Sequence, residues 1–489
     1  MAKSKDRIDA GIKKENKNPN RFKGGVSQIK MGNNDVLFIL LGATGDLTKR
    51  KLLPAIYHLV NDHKIAHFAI IGVARSPISV GEMLAASKPF VKEINAHTWK
   101  KLEAASYYLS LDFYHQNDYH HLKKIADDAR SKHHLSGNTV FYFSTLPDHF
   151  ETITKNIHNS GLAEGKGWSR LVYEKPFGSD LASARRINKS IARFFTEEQV
   201  FRIDHYLGKD IVGNLALLRF TNRALEPLWN RNHIESVQIL FLESLGIEGR
   251  GNFYDKYGAL KDVVQNHMLQ LLALTAMEAP RQLTGHYIRD EKAKVLNNII
   301  VHNVVRGQYD GYLQEKGVSE HSSTETFTAV HLEVNNKRWK GVPFYLKAGK
   351  KLDKKETSIH LRLKSVPCLL PENCPTDSNH ITIKIEPHSS FALELFARVP
   401  GKTLEIIPMT MEFSQPIFTL KSAEAYEILL EEVIKGEQSL FVRNDEIEQS
   451  WKIMEAIEKI KTKVYTYAPG SKGPQELKLL EKEHIKWRG

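Results

Sequence analysis

Four side chains with useful chemistry crowd into the stretch Arg202 to Asp210, "RIDHYLGKD": Asp204, His205, Tyr206 and Lys209. A carboxylate, an imidazole, a phenol and an ammonium this close together can hold a phosphate through charge-assisted bonds, or move a proton. If a helix starts here, His205 and Lys209 stand four apart and share a face. The plainer alternative is a polar helix start capped by Asp204. A second stretch is "EKPFG", Glu174 to Gly178. Pro176 stops the strand before it from continuing its ladder, which would leave Lys175 at the strand's carboxyl end. There Lys175 points either into a ligand crevice or simply into solvent. A third is "KDVVQNH", Lys261 to His267. On an α-helix Asp262 and His267 lie about 140° apart, so they do not stack, though they can line one pocket from two sides. His267 on an apolar helix is either a base or a satisfied core residue. No G-x-S-x-G elbow supports a hydrolase.

The elements that would position these groups follow from periodicity. "DVLFIL" (35–40) is an apolar strand. It runs into the turn "GATGDLTKRK" and then into "KLLPAIYHLV", where apolar residues recur at helical spacing. "FAIIGVA" (68–74) is the next strand. Gly42 and Gly45 let the chain turn sharply and approach a ligand, and the following helix N-terminus seats a pyrophosphate. The turn is a shorter-spaced variant of the dinucleotide fingerprint, and a plain strand-to-helix turn is its alternative reading. "TVFYFS" (139–144), a helix over "DHFETITKNIHNSG" and "RLVYE" (170–174) continue the alternation. The expectation is α/β: a doubly wound, Rossmann-like parallel sheet over residues 35–205.

Beyond it the pattern changes. Residues 235–244, 326–334, 358–364, 380–386 and 390–399 alternate polar and apolar types, as antiparallel strands with one wet face do. Residues 257–277 read as one long apolar helix, with further helices near 422–435 and 445–462. Residues 206–489 therefore read as a second domain, of α+β type. It is built on a large, mainly antiparallel sheet with helices on one face.

The chain has 489 residues, which favours two domains. Its net charge is +12, and residues 1–34, with nine Lys/Arg against three acids, hold half of that. Those residues read as a basic, disordered tail rather than as evidence of a specific nucleic-acid role. There is no apolar run long enough to span a bilayer and no signal-type segment, so no membrane role is expected. The two cysteines, Cys368 and Cys374, are too few for a disulfide framework and fit no common zinc spacing. The expectation is a cytoplasmic enzyme.

Six stretches, "GATGDLTKRKLLPAIY", "EKPFG", "RIDHYLGK", "EGRGNFYD", "GALKDVVQNHMLQLLALTAME" and "GVPFYLKAGKKL", carry a resemblance. Their order and context resemble the glucose-6-phosphate dehydrogenase family over roughly residues 35–475, and "YTYAPGSKGP" (465–474) is similar to its C-terminal stretch. The resemblance implies hydride transfer from C1 of glucose 6-phosphate to NADP⁺, giving 6-phosphoglucono-1,5-lactone, the entry to the pentose phosphate pathway. It implies His267 as general base, oriented by Asp204. It implies His205, Tyr206 and Lys209 as a phosphate cradle, with Lys175, Glu243, Asp262, Lys350 and Lys355 holding sugar hydroxyls or phosphate. On the coenzyme side it implies Gly42, Thr44, Gly45, Asp46, Leu47, Arg75 and Lys175. No metal is implied. Asp148 stands where the family pattern leads one to expect a second proline, and the tail lies outside that pattern.

The residue types suit these roles. Imidazole titrates near neutral pH, and a carboxylate on one ring nitrogen leaves the other free to accept a proton. NAD-specific versions of the fold carry an acid at the end of the second strand. Here Ala74-Arg75-Ser76 occupies that position, and Arg75 offers a fork of donors to a 2′-phosphate, with Thr44 and Lys51 nearby. The competing readings are a dehydrogenase of free sugars, which needs no phosphate cradle, and a non-catalytic binding protein. A broad antiparallel sheet is expected to pair across a two-fold axis, as a homodimer or homotetramer.

Overall fold

In the first strand, Asp35–Leu41, every residue is buried. Val36, Phe38 and Leu40 face one apolar cluster and Leu37, Ile39 and Leu41 the other. A strand apolar on both faces needs helices on both faces, which is the parallel-sheet condition. The computed structural model describes residues 35–368, 374–375, 377–402, 405–414, 424–481 and 486–488, so the basic tail lies outside the described residues. The strands of the first sheet are β1 (Asp35–Leu41), β2 (His67–Ala74), β3 (Ser106–Ser110), β4 (Thr139–Phe143), β5 (Ser169–Glu174) and β6 (Val200–Ile203). They pair in parallel in the order β6-β5-β4-β1-β2-β3. The order reverses between β1 and β4, which makes the crevice beyond their carboxyl ends the place for a dinucleotide.

The second sheet holds β7 (Ile234–Leu242), β8 (Ile299–Tyr309), β9 (Phe327–Val334), β10 (Pro343–Gly349), β11 (Glu356–Leu363), β12 (His380–Glu386), β13 (Ser390–Arg398) and β14 (Ile406–Ser414). β15 (Phe441–Val442) leaves it to pair with β6 in the first sheet, and β16 (Val464–Tyr467) returns to the edge beside β8. The nine strands run β14-β13-β12-β11-β7-β10-β9-β8-β16, antiparallel except at β7–β10 and β8–β16. The helix Leu269–Ala276, buried at every residue, covers the inner face. The helix Ala425–Lys435 packs Leu429, Leu430 and Val433 into a core cluster of the first sheet.

Three expectations need correction. The long helix over 257–277 is interrupted: Gly258 adopts φ 61°, and residues Leu260–Met268 wind as a π-helix before the α-helix resumes at Leu269. Residues 204–209 are not helical. They form successive turns, with Leu207, Gly208 and Lys209 N–H donating to the carbonyls of Asp204, His205 and Tyr206, and the helix starts only at Asp210. His205 and Lys209 therefore do not share a helix face. Lastly, Cys368 and Cys374 form a disulfide with Cα atoms 5.8 Å apart. One bridge is not a framework, so a count of two missed it. Among the described residues, no helix is long and apolar enough to cross a membrane.

Candidate active site

Glu174, the last residue of β5, pairs in register with Ile203, the last of β6. The residues that follow, Lys175 and Asp204, therefore leave adjacent strands side by side at the carboxyl edge of the first sheet. The Lys175–Pro176 peptide is cis. The π-helical segment of the second domain lies across this edge. His267 Nδ1 is 2.5 Å from Asp204 Oδ1, which also accepts the Tyr206 N–H at 3.0 Å. Lys175 Nζ lies 2.8 Å from His267 Nε2, 3.1 Å from the Asp262 carbonyl and 3.7 Å from Asp262 Oδ1. This network assigns the tautomer. Nδ1–H donates to Asp204, and the Nε2 lone pair faces the point where Lys175 now donates.

The π-helix explains why an angle reckoned on an α-helix was misleading. An i→i+5 winding spreads the backbone and brings residues five apart toward one face, as π-segments at functional sites often do. Asp262 and His267 thereby converge on one ammonium. Leu260 N–H, at the start of the segment, donates to the half-buried Glu325 carboxylate at 3.0 Å. Gly258, at φ 61° and ψ −177°, holds a conformation that L side chains rarely adopt, and this requires glycine there.

The surroundings of His267 are dry and aromatic. Tyr206, His205 and Phe241 have ring centroids 4.5, 4.9 and 5.9 Å away. Burial lowers the His267 pKa below its ordinary value, although Asp204 pulls it upward. Burial would raise the Asp204 carboxyl, but His267 and its cationic neighbours hold it well below the usual range. At neutral pH the pair is a carboxylate and a neutral imidazole, which is the state a general base requires. His205 is pushed down to about 3 by burial, with help from His267 and the two lysines, so it too is neutral. Asp204, His205 and His267 come close enough to hold a metal ion. The Lys175 ammonium on Nε2 makes that position unfavourable for a second cation.

Two further clusters join this one. Glu243 N–H donates to the Gly349 carbonyl, because β7 and β10 run in parallel, and this sets Glu243 beside Lys350, whose ammonium pairs with it. Lys209 lies over the Tyr206 ring at 4.2 Å and pairs with Glu386, which also takes Lys355 at 3.1 Å. Burial raises the Tyr206 phenol strongly, and the carboxylates of Glu386, Glu243 and Asp204 add to the rise, so Tyr206 stands amid all three groups. A Cβ at Gly208 would come within 2.9 Å of the Ala425 carbonyl, which shows how tightly the turn is held against the helix Ala425–Lys435.

Sequence reasoning did not find Glu386, since a glutamate closing an alternating strand gives no signal by itself. It also passed over Glu174. That carboxyl is raised to about 7 by burial, against the hydrogen bonds from Tyr142, at 2.5 Å, and Tyr426.

On the nucleotide side, Gly42 has φ 100°, and a Cβ there would lie 2.1 Å from the Ser144 carbonyl at the end of β4. Only glycine allows this closure of the turn across the switch point. Thr44, Gly45, Asp46 and Leu47 form the rest of the turn, all at least partly exposed. Arg75 is exposed just past β2, and its carbonyl accepts the Ser110 hydroxyl at 2.9 Å. Lys51 does not join them, because its ammonium pairs with Glu424 at 3.0 Å. A glycine turn at a sheet reversal, with a hydroxyl and a guanidinium beside it, fits a dinucleotide.

Comparison with known proteins agrees with the two-domain fold. Residues 39–214 match the glucose-6-phosphate dehydrogenase NAD binding domain, and residues 216–488 match the C-terminal domain of the same family. The chain is 38% identical to glucose-6-phosphate 1-dehydrogenase of Chlamydia muridarum, over 92% of this chain and 96% of that protein. It is 39% identical to glucose-6-phosphate 1-dehydrogenase 6, cytoplasmic, of Arabidopsis thaliana, over 91% and 90%. A solved glucose-6-phosphate dehydrogenase in complex with its substrate glucose 6-phosphate superposes with a TM-score of 0.87 at 32% identity, covering 94% of this chain and 99% of that one. The chain is a member of the glucose-6-phosphate dehydrogenase family of oxidoreductases.

Proposed function

We propose that the protein oxidises C1 of glucose 6-phosphate with NADP⁺, and that His267, oriented by Asp204, is the general base. The observation that carries the reading is the buried Asp204–His267 pair, whose Nε2 lone pair is turned to the Lys175 ammonium at the carboxyl edge of the first sheet. His267 Nε2 takes the proton of the C1 hydroxyl, and the lone pair left on oxygen becomes the carbonyl of the lactone. Asp204 stabilises the imidazolium as it forms. Lys175 yields the Nε2 position to the hydroxyl and keeps its reach to Asp262. Glu243, Asp262 and Lys350 hold sugar hydroxyls, while His205, Tyr206, Lys209 and Lys355 take the phosphate. The coenzyme, when bound, accepts the hydride released from C1.

Arg75 supports NADP⁺ over NAD⁺, since it stands where an NAD-specific site places an acid. Arg75→Ala is expected to weaken NADP⁺ by roughly 1.5–3 kcal/mol, the worth of a charge-assisted bond, and to leave NAD⁺ nearly unchanged. The check is kcat/KM for both coenzymes in wild type and mutant. An unchanged NADP⁺/NAD⁺ ratio removes Arg75 from the site, and a wild type that prefers NAD⁺ overturns the coenzyme reading.

The second sheet supports self-association. Ile407, Met409, Met411 and Phe413 alternate along β14, and each is more than two-fifths exposed. An apolar row of this kind on an outer strand is what an isologous contact covers. Sedimentation is expected to give a dimer or tetramer, and a monomer at micromolar concentration would contradict this.

A further inference from the structure

We propose that Glu386 is an internal anion that occupies the phosphate position, and that the phosphate of the substrate must displace it. This rests on the reading of Lys209 and Lys355 as phosphate ligands. Glu386 closes β12 opposite Thr357, at the start of β11, so the sheet register sets it next to Lys355. One carboxylate oxygen takes the Lys209 ammonium and the other takes Lys355 at 3.1 Å. The two lysines come from distant parts of the chain, the turn after β6 and the loop before β11, and the glutamate bridges them.

The charges explain what such a bridge does. Two ammonium groups and one carboxylate leave the cradle with a net charge of one, because His205 is neutral. The two lysines also hold the Glu386 carboxyl below its usual range, in spite of its burial. A phosphate monoester near neutral pH brings about −1.5 to −2 charges and three acceptor oxygens, against the single charge and two oxygens of a carboxylate. It can therefore outcompete Glu386. A small anion without a sugar pays the same displacement penalty and gains nothing from Glu243, Asp262 or Lys350. Glu386 thus lowers the occupancy of the cradle by free phosphate, because apparent affinity is reduced by the fraction of sites that are open. A free sugar leaves the bridge in place. The glutamate lowers the apparent affinity of the cradle for free phosphate and for the sugar phosphate by the same factor, and only the sugar phosphate has the contacts of Glu243, Asp262 and Lys350 to make up the loss.

The test is Glu386→Gln, which keeps the shape and removes the charge, assayed as the whole enzyme. The inhibition constant of inorganic phosphate, competing with glucose 6-phosphate, is expected to fall by about 10-fold or more, and the ratio of the KM values for glucose 6-phosphate and glucose to fall in the same direction. Glu386→Asp keeps the charge but is too short to bridge both lysines, so its phosphate constant is expected between wild type and Gln. A raised KM for glucose 6-phosphate in Glu386→Gln would show that the carboxylate positions the lysines and does not compete with phosphate. Unchanged constants would show that it does neither, and each result overturns the proposal. If Lys209→Ala leaves KM for glucose 6-phosphate unaltered, the cradle reading itself fails. If Lys209→Ala raises that KM while Glu386→Gln lowers nothing, only the present inference fails.

Discussion

His267→Asn is expected to lower kcat by about 10²–10⁴-fold, the usual worth of general-base catalysis, with far less change in substrate affinity. Asparagine keeps a polar side chain in the crevice but has no nitrogen that accepts a proton at neutral pH. Asp204→Asn acts in the same direction more weakly, because it disturbs the tautomer and leaves the acceptor in place. The pH profile gives an independent sign. Burial lowers the His267 pKa below its ordinary value, so the base stays neutral until the pH falls beneath that value. With free glucose as the varied sugar, which carries no titrating phosphate, the acid limb of kcat/KM is therefore expected below the ordinary imidazole range of about 6.5 and is absent in His267→Asn. A near-normal kcat in His267→Asn would make His267 a core histidine. An acid limb at or above neutral pH would assign the limb to another group, with Glu174, raised to about 7, the first to examine.

Lys209→Ala is expected to act on binding instead. Its ammonium, above the Tyr206 ring and at the N-cap of the helix Asp210–Thr221, has no part in proton transfer. Losing one charged partner of the phosphate costs roughly 1.5–3 kcal/mol, or about 10- to 150-fold in KM for glucose 6-phosphate. Free glucose, which presents no phosphate, is expected to be barely affected. Steady-state kinetics on both sugars read the difference, and equal losses on both would show that Lys209 does not recognise the phosphate.

Much of this arrangement is legible in the sequence, and the rest is not for identifiable reasons. β1, β2, β4 and β5 are short apolar runs set between helical patterns, and period alone finds them. β7, β9, β11, β12 and β13 show in their alternation. β10 does not, because it is buried at all seven residues, "PFYLKAG", between a parallel and an antiparallel neighbour, and so has no wet face to alternate. β15 is two residues long and exists only because the chain returns to β6. At the site, residue types pointed to Asp204, His205, Lys209 and His267, but α-helical angles misjudged how they meet. The turns over 204–209 and the π-segment over 260–268 are set by tertiary packing: Gly208 against Ala425, and Gly258 against Glu325. Lys51 was misread because its partner, Glu424, is 373 residues away.

The most direct measurement supplies glucose 6-phosphate deuterated at C1 together with NADP⁺, and weighs the reduced coenzyme and the sugar product. If His267 removes the hydroxyl proton while C1 gives up its hydride, the deuterium is found in the reduced coenzyme and is missing from a lactone or its hydrolysis product. Reduced coenzyme without deuterium, or a product that keeps the label at C1, would contradict the account.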